Sequence, residues 1–138
     1  MTCHLNTPEL TVIEDYAHHP TELAAALDSL RGRFPDHHLR VVFQPHRYAR
    51  LRQYFDEFKQ ILRLPDSVFI TPVFAAWVEK GELGSEELAA QIGQSARFIA
   101  GEWQNMPAAL LRKTDSRPLL LAIIGAGDIE QLIPYILN

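Results

Sequence analysis

The stretch Thr11-Val12-Ile13-Glu14-Asp15-Tyr16-Ala17-His18-His19-Pro20-Thr21-Glu22 passes from β-branched apolar residues to a helix start within a few positions. Thr11-Val12-Ile13 reads as the end of a short buried strand. Pro20 suits the first helical position, where no amide hydrogen is needed, and Glu22 suits the positive end of the helix dipole. The residues between form a strand-to-helix turn that carries acids, a phenol and two imidazoles. In open α/β sheets ligands bind at such turns, outside the carboxyl ends of the strands. Asp15, Tyr16 and His18 are therefore candidate functional residues.

Working outward, Leu23, Leu27, Leu30 and Phe34 recur at helical spacing and predict an amphipathic helix over residues 20–33. Residues 1–8 show no periodicity and are expected to fray. His37 and His38 read as a solvated loop pair before a second strand at residues 39–43. Helical spacing resumes at Leu51, Tyr54, Phe55, Phe58, Ile61 and Leu62, which makes a second strand-turn-helix unit. A third strand at residues 68–70 runs into the apolar loop Thr71-Pro72-Val73-Phe74-Ala75-Ala76. Gly84-Ser85-Glu86-Glu87 reads as a helix start with acids in its first turn. Phe98-Ile99 is a weak strand, and a helix is expected over residues 107–111. Residues 118–124 are apolar throughout, as expected of a strand covered on both faces. They lead to Gly125-Ala126-Gly127-Asp128 and a last helix that Pro134 should kink or shorten. Strands alternating with helices predict an α/β domain, a mostly parallel sheet with helices on both faces.

Length and composition set limits on function. A chain of 138 residues, 47% hydrophobic and 22% charged, is expected to be a single globular domain with a real core. A net charge of -4 gives no support for nucleic-acid binding or for docking on an anionic membrane. The basic residues cluster, however: Arg40, Arg47, Arg50 and Arg52 fall within thirteen positions and suggest one local positive site. The single Cys3 excludes an internal disulfide and fits a reducing compartment. No signal-peptide pattern opens the chain and no apolar run is long enough to span a bilayer, so a cytoplasmic location is expected.

Arg47 and Arg50 are three apart at a helix start and can share one face. Two guanidiniums beside helix amides make a receptor for a carboxylate or phosphate. The plainer reading is a solvated basic turn paired with Asp56 or Glu57. Against it stands the first turn, which puts Asp15, Tyr16 and His18 on the same rim if the two strands are neighbours. Gly125-Ala126-Gly127-Asp128 resembles half of a dinucleotide fingerprint, but it follows the last strand and lacks the third glycine. A tight turn capped by Asp128 explains it as well. No P-loop, metal-ligand cluster or nucleophile elbow is present in the sequence.

Asp15-Tyr16-Ala17-His18-His19-Pro20-Thr21-Glu22 together with Phe43-Gln44-Pro45-His46-Arg47-Tyr48-Ala49-Arg50 resembles the C-terminal domain of the Mur ligases, closest to the L-alanine-adding branch, the UDP-N-acetylmuramate–L-alanine ligases. The second motif is the more specific, and the resemblance spans nearly the whole chain. It implies a Rossmann-like fold with six strands, one of them antiparallel. It implies residues 1–138 as the amino-acid-binding lid of a ligase whose N-terminal UDP-binding and central ATP-binding domains lie outside this sequence. By that resemblance Asp15 would bond the ATP ribose. Tyr16 and His18 would line the amino-acid site, while His46, Arg47 and Arg50 would hold the alanine carboxylate. The implied partners are the small molecules L-alanine, ATP and UDP-N-acetylmuramate, with Mg2+ as cofactor of the full-length enzyme and none held tightly by this chain. The isolated chain is expected to be inactive in peptidoglycan synthesis. Ala49 stands where the family has Thr or Ser, and Trp77 where it has Gly. Two other readings are a free-standing, non-catalytic nucleotide- or anion-binding module, and a small metal-dependent hydrolase using His18, His19, His37, His38 and His46.

Overall fold

The computed structural model describes residues 1–75 and 83–138. Trp77 and Ala76, the end of the apolar loop singled out above, lie outside the described residues. Six strands form one sheet in the order β1-β2-β6-β3-β4-β5. They are β1 (Thr2–Asn6), β2 (Leu10–Asp15), β3 (His38–Phe43), β4 (Ser67–Ile70), β5 (Ala96–Phe98) and β6 (Leu119–Ile124). β1 runs antiparallel to β2, and every other pairing is parallel. The six-stranded, mostly parallel sheet with one antiparallel strand is thus the fold of the chain.

β6 is the centre of this arrangement because its sequence is apolar at every position. Leu120, Ala122 and Ile124 enter one core with Ile13 of β2 and Val41 and Phe43 of β3. Leu121 and Ile123 enter the other with Val12 and Val42. The first core is roofed by α1 (Pro20–Arg33), α2 (Tyr48–Gln53), α3 (Phe55–Ile61) and α4 (Ser85–Ile92). The second is closed by α5 (Pro107–Leu110), α6 (Ile133–Leu137) and the 3-10 turn Ile129–Leu132. Side chains of a strand alternate between faces, so a strand with a core on each side has no polar position to spare.

Several expectations need correction. Residues 1–8 do not fray: Thr2 pairs with Glu14 and Asn6 with Thr11, across an irregularity between Cys3 and Leu5. This edge strand lacks alternating apolar residues, because the backbone ladder rather than side-chain burial holds it. The second helix is two helices, broken at Tyr54 (φ -114°, ψ 25°). Leu51, Phe55, Phe58 and Leu62 are nevertheless all buried. The last helix begins as a 3-10 turn, and Pro134 falls in the first turn of α6, where a missing amide hydrogen costs nothing. His38 is no solvated loop residue. It is 6% exposed, with Nδ1 2.8 Å from Asp115 Oδ2 and Nε2 2.8 Å from Ser67 Oγ. Arg40 does not join Arg47, Arg50 and Arg52 in one basic site either. It lies at the amino half of β3, buried beneath α5.

Candidate functional site

Asp15, Ile124 and Phe43 stand in register across β2, β6 and β3, so the three strands end at one level. The ladder continues one step beyond them. Gly125 N donates to Asp15 O at 3.1 Å, Gln44 N to Ile124 O at 3.0 Å, and Thr71 N to Phe43 O at 3.0 Å. The turns that follow are therefore rooted by backbone bonds. β2 and β3 are not neighbours, contrary to the condition set above, since β6 lies between them. The first and second turns still meet, with the His18 and His46 rings 5.9 Å apart. The Gly125-Ala126-Gly127-Asp128 turn emerges from the strand between them.

The first turn is built by its own polar groups. Asp15 Oδ1 accepts from Ala17 N at 2.8 Å, which folds the chain back towards the helix. His19 is the N-cap of α1, its Nδ1 accepting from Thr21 N at 3.2 Å. Glu22 Oε1 reaches back to His19 N at 3.1 Å and His18 N at 3.3 Å. The amide of His18, above all, holds the Glu22 carboxyl below its usual range. This is a capping box with histidine in the place of serine. A histidine is not an N-cap favoured by propensity, so spacing alone does not reveal it. His18 Nδ1 lies 3.1 Å from the Tyr16 carbonyl, which can only accept, so this nitrogen carries a proton. The Tyr16 side chain is exposed.

The second turn is held by the loop after β4. Arg47 N donates to Phe74 O and Phe74 N to Pro45 O, both at 2.8 Å, and the His46 ring stacks on Phe74 at 5.4 Å. Arg47 is the one non-glycine residue with positive φ among the described residues (φ 70°, ψ 135°). Arg50 Nη1 approaches His46 Nδ1 at 3.4 Å. A guanidinium only donates, so Nδ1 accepts and the neutral ring keeps its proton on Nε2. Burial, and then the charges of Arg50, His18 and Arg47, push the His46 pKa below 6.5. The ring is thus a neutral donor beside two fixed cations. Arg50 forms no ion pair with Asp56 or Glu57 among the described residues; Asp56 pairs instead with Lys59 at 3.4 Å. The plain salt-bridge reading of Arg50 therefore fails.

Gln44 joins the second turn to the third, a role that spacing did not indicate. It is 4% exposed, donates from Nε2 to Asp128 Oδ1 at 2.7 Å and accepts Ile129 N on Oε1 at 3.2 Å. Asp128 is the N-cap residue of the last turn, as expected, but its side chain makes no capping bond; Gln44 takes the Ile129 amide instead. The glycine between them is required by space. A Cβ on Gly127 would stand 2.5 Å from Phe74 Cγ and 2.6 Å from Gln44 Oε1. The GAGD turn is thus a packing device that locks Phe74 and Gln44 beneath the basic turn.

The five candidate histidines, His18, His19, His37, His38 and His46, do not gather into one site. His38 lies at the opposite, amino end of β3, bound to Asp115 and Ser67. Among the described residues no group of three His, Cys, Asp or Glu is placed to hold a metal ion.

The chain is a small α/β domain with polar and basic turns at the carboxyl edge of its sheet. The family model for the Mur ligase, glutamate ligase domain, matches residues 1–127. The chain belongs to that family. It is 35% identical over 130 residues to the UDP-N-acetylmuramate–L-alanine ligase of Lacticaseibacillus casei, covering 89% of this chain and 27% of that protein. The enzyme of the same name from Leuconostoc citreum is 40% identical over 124 residues, with the same coverage. The crystal structure of the UDP-N-acetylmuramate-alanine ligase MurC from Thermotoga maritima superposes with a TM-score of 0.74 at 25% identity, over 99% of this chain and 28% of that one. The chain thus spans only 27% of the length of these curated relatives. Among the described residues no helix is long and apolar enough to cross a membrane.

Proposed function

We propose that the chain acts as the amino-acid-holding lid of an ATP-dependent amide ligase that adds L-alanine to UDP-N-acetylmuramate in peptidoglycan synthesis. The observation that carries this reading is the meeting of His18, His46 and Arg50 at the carboxyl edge, beside an Arg47 whose backbone is held at positive φ. In such a ligase ATP supplies the phosphoryl group that turns the sugar carboxylate into an acyl phosphate, which the alanine amine then attacks with release of phosphate. Mg2+ would be held with the ATP phosphates by domains of the longer enzyme, since these turns offer bases and guanidiniums rather than a carboxylate cage.

The residues of this chain position the nucleophile. Arg50 and Arg47 take the alanine carboxylate, each through a charge-assisted bond worth about 1.5–3 kcal/mol. His46, neutral and donating from Nε2, adds a bond without adding a charge to be desolvated. His18 and Tyr16 border the site. Asp15 gives Oδ1 to the Ala17 amide and has Oδ2 3.9 Å from the Met1 ammonium, and a ribose hydroxyl would donate to Oδ2 in that ammonium's place. The sequence carries no P-loop for phosphoryl transfer. The reading therefore expects no alanine-dependent phosphate release from the 138-residue chain alone. Release should appear when the chain is joined to UDP-sugar-binding and ATP-binding domains of a relative. Turnover by the chain alone, or none from a well-folded fusion, would contradict it.

A further inference from the structure

A cavity of about 290 Å³ opens at the amino end of β3, β4 and β5, the edge of the sheet opposite the turns described above. Arg40, Arg97 and Arg112 line it together with Ser67, Ser95 and Thr114. Arg40 is only 2% exposed. Its Nε donates to Ser67 Oγ at 2.9 Å, and its Nη1 to the carbonyls of Leu110 and Arg112 at 2.7 and 2.8 Å. Its Nη2 makes no hydrogen bond among the described residues. The guanidinium also lies over the Phe69 ring, 5.9 Å from its centroid.

A buried cation ordinarily has a carboxylate beside it, because an uncompensated charge is costly to desolvate. Among the described residues Arg40 has none within ion-pair distance, and neither Arg97 nor Arg112 forms an ion pair. The nearby acids are committed elsewhere. Asp66 is paired with Arg31 at 3.1 Å and Arg117 at 3.5 Å, and Asp115 with Arg117 and His38, each at 2.8 Å. Burial lowers the proton affinity of Arg40, Asp115 opposes this, and the Arg112 charge lowers it further. Besides three guanidiniums and three hydroxyls, the cavity is lined by the Asp66 carboxylate, which is already paired with Arg31 and Arg117.

We propose that this cavity is a binding site for a small phosphate-type oxyanion, held by the spare Nη2 of Arg40 between Arg97 and Arg112. An anion there satisfies the unused donor and relieves the repulsion among the three cations. The site is separate from the amino-acid clamp and does not depend on the ligase reading.

Amide-detected NMR titration of the chain with inorganic phosphate tests it, against sodium chloride at matched ionic strength. Saturable shifts should appear at Ser67, Ser95, Arg97 and Thr114. Arg97→Ala and Arg112→Ala, exposed residues with no ion pair to lose, should keep the native spectrum and each weaken phosphate at least about tenfold, the loss of one charge-assisted bond. Ribose 5-phosphate distinguishes the source: tighter binding than phosphate points to a phosphomonoester metabolite, and equal or weaker binding to the free ion. Shifts that chloride reproduces, that never saturate, or that both substitutions leave unchanged would overturn the proposal.

Discussion

Arg47 combines an unusual backbone with a charged side chain. A non-glycine residue at φ 70° and ψ 135° costs on the order of 1–3 kcal/mol, and such strain persists where the surroundings over-determine it. Here the bonds from Arg47 N to Phe74 O and from Phe74 N to Pro45 O hold the turn. Arg47→Gly and Arg47→Ala both delete the side chain, but only the first relieves the strain. Urea denaturation should find Arg47→Gly the more stable by about 1 kcal/mol, and equal stabilities would show that no strain is stored. His46 gives a second test at this scale. Its ring should titrate below 6.5, and Arg50→Ala should raise the midpoint without restoring it fully, since burial is the larger cause. A midpoint indifferent to Arg50, followed by NMR, would place the two groups apart. That Arg47 and Arg50 belong to one basic turn was legible from their spacing, although Arg47 stands outside α2 as its N-cap residue. The strain was not, since nothing in an Arg-Tyr pair announces a positive φ.

At the level of elements, three turns act as one body through Gln44 and Phe74. Gln44→Ala leaves the Asp128 carboxylate and the Ile129 amide without their partner. A loss of about 1–3 kcal/mol is expected by urea denaturation, the range for stranding buried polar groups. Gly127→Ala drives a methyl into Phe74 and Gln44 at 2.5–2.6 Å, and overpacking of this kind costs about 1–3 kcal/mol. It should also weaken whatever binds the basic turn, because Phe74 carries His46. Unchanged stability in both variants would mean that the turns are not coupled. Strand-turn-helix units were readable because apolar periodicity changes abruptly at each turn. The links between turns were not, since Gln44 and Asp128 are 84 positions apart and neither belongs to a local pattern. The break at Tyr54 escaped for a related reason: Leu51, Phe55 and Phe58 satisfy one helical period although the chain bends between them.

For the molecule as a whole, the two edges of the sheet carry opposite arrangements. The carboxyl edge brings Arg50 beside His46 and His18, while the amino edge ties Asp66 and Asp115 into Arg31, Arg117 and His38. Arg117 and His38 depress the Asp115 carboxyl, and the Leu39 amide with Arg31 depresses Asp66 against the opposing effect of burial. A carboxyl whose folded pKa is depressed stabilises the fold above its unfolded value, 3.8, and loses that contribution as pH falls towards the folded one. Thermal unfolding should therefore show stability falling below about pH 4, and Asp66→Asn should flatten that limb; an unaltered acid limb would remove Asp66 from the account. The parallel sheet was legible from the alternation of strands and helices. The edge strand β1 was not, because one partner and a backbone ladder suffice to hold it. The proposed function rests on the amino-acid clamp, and steady-state kinetics of the chain joined to the UDP-sugar-binding and ATP-binding domains of a relative test that most directly. Arg50→Ala should raise the KM for L-alanine by about ten- to a hundredfold with the KM for ATP little changed, and Asp15→Ala should do the reverse. An unchanged alanine KM in Arg50→Ala, with ATP binding lost instead, would contradict the role assigned to this turn.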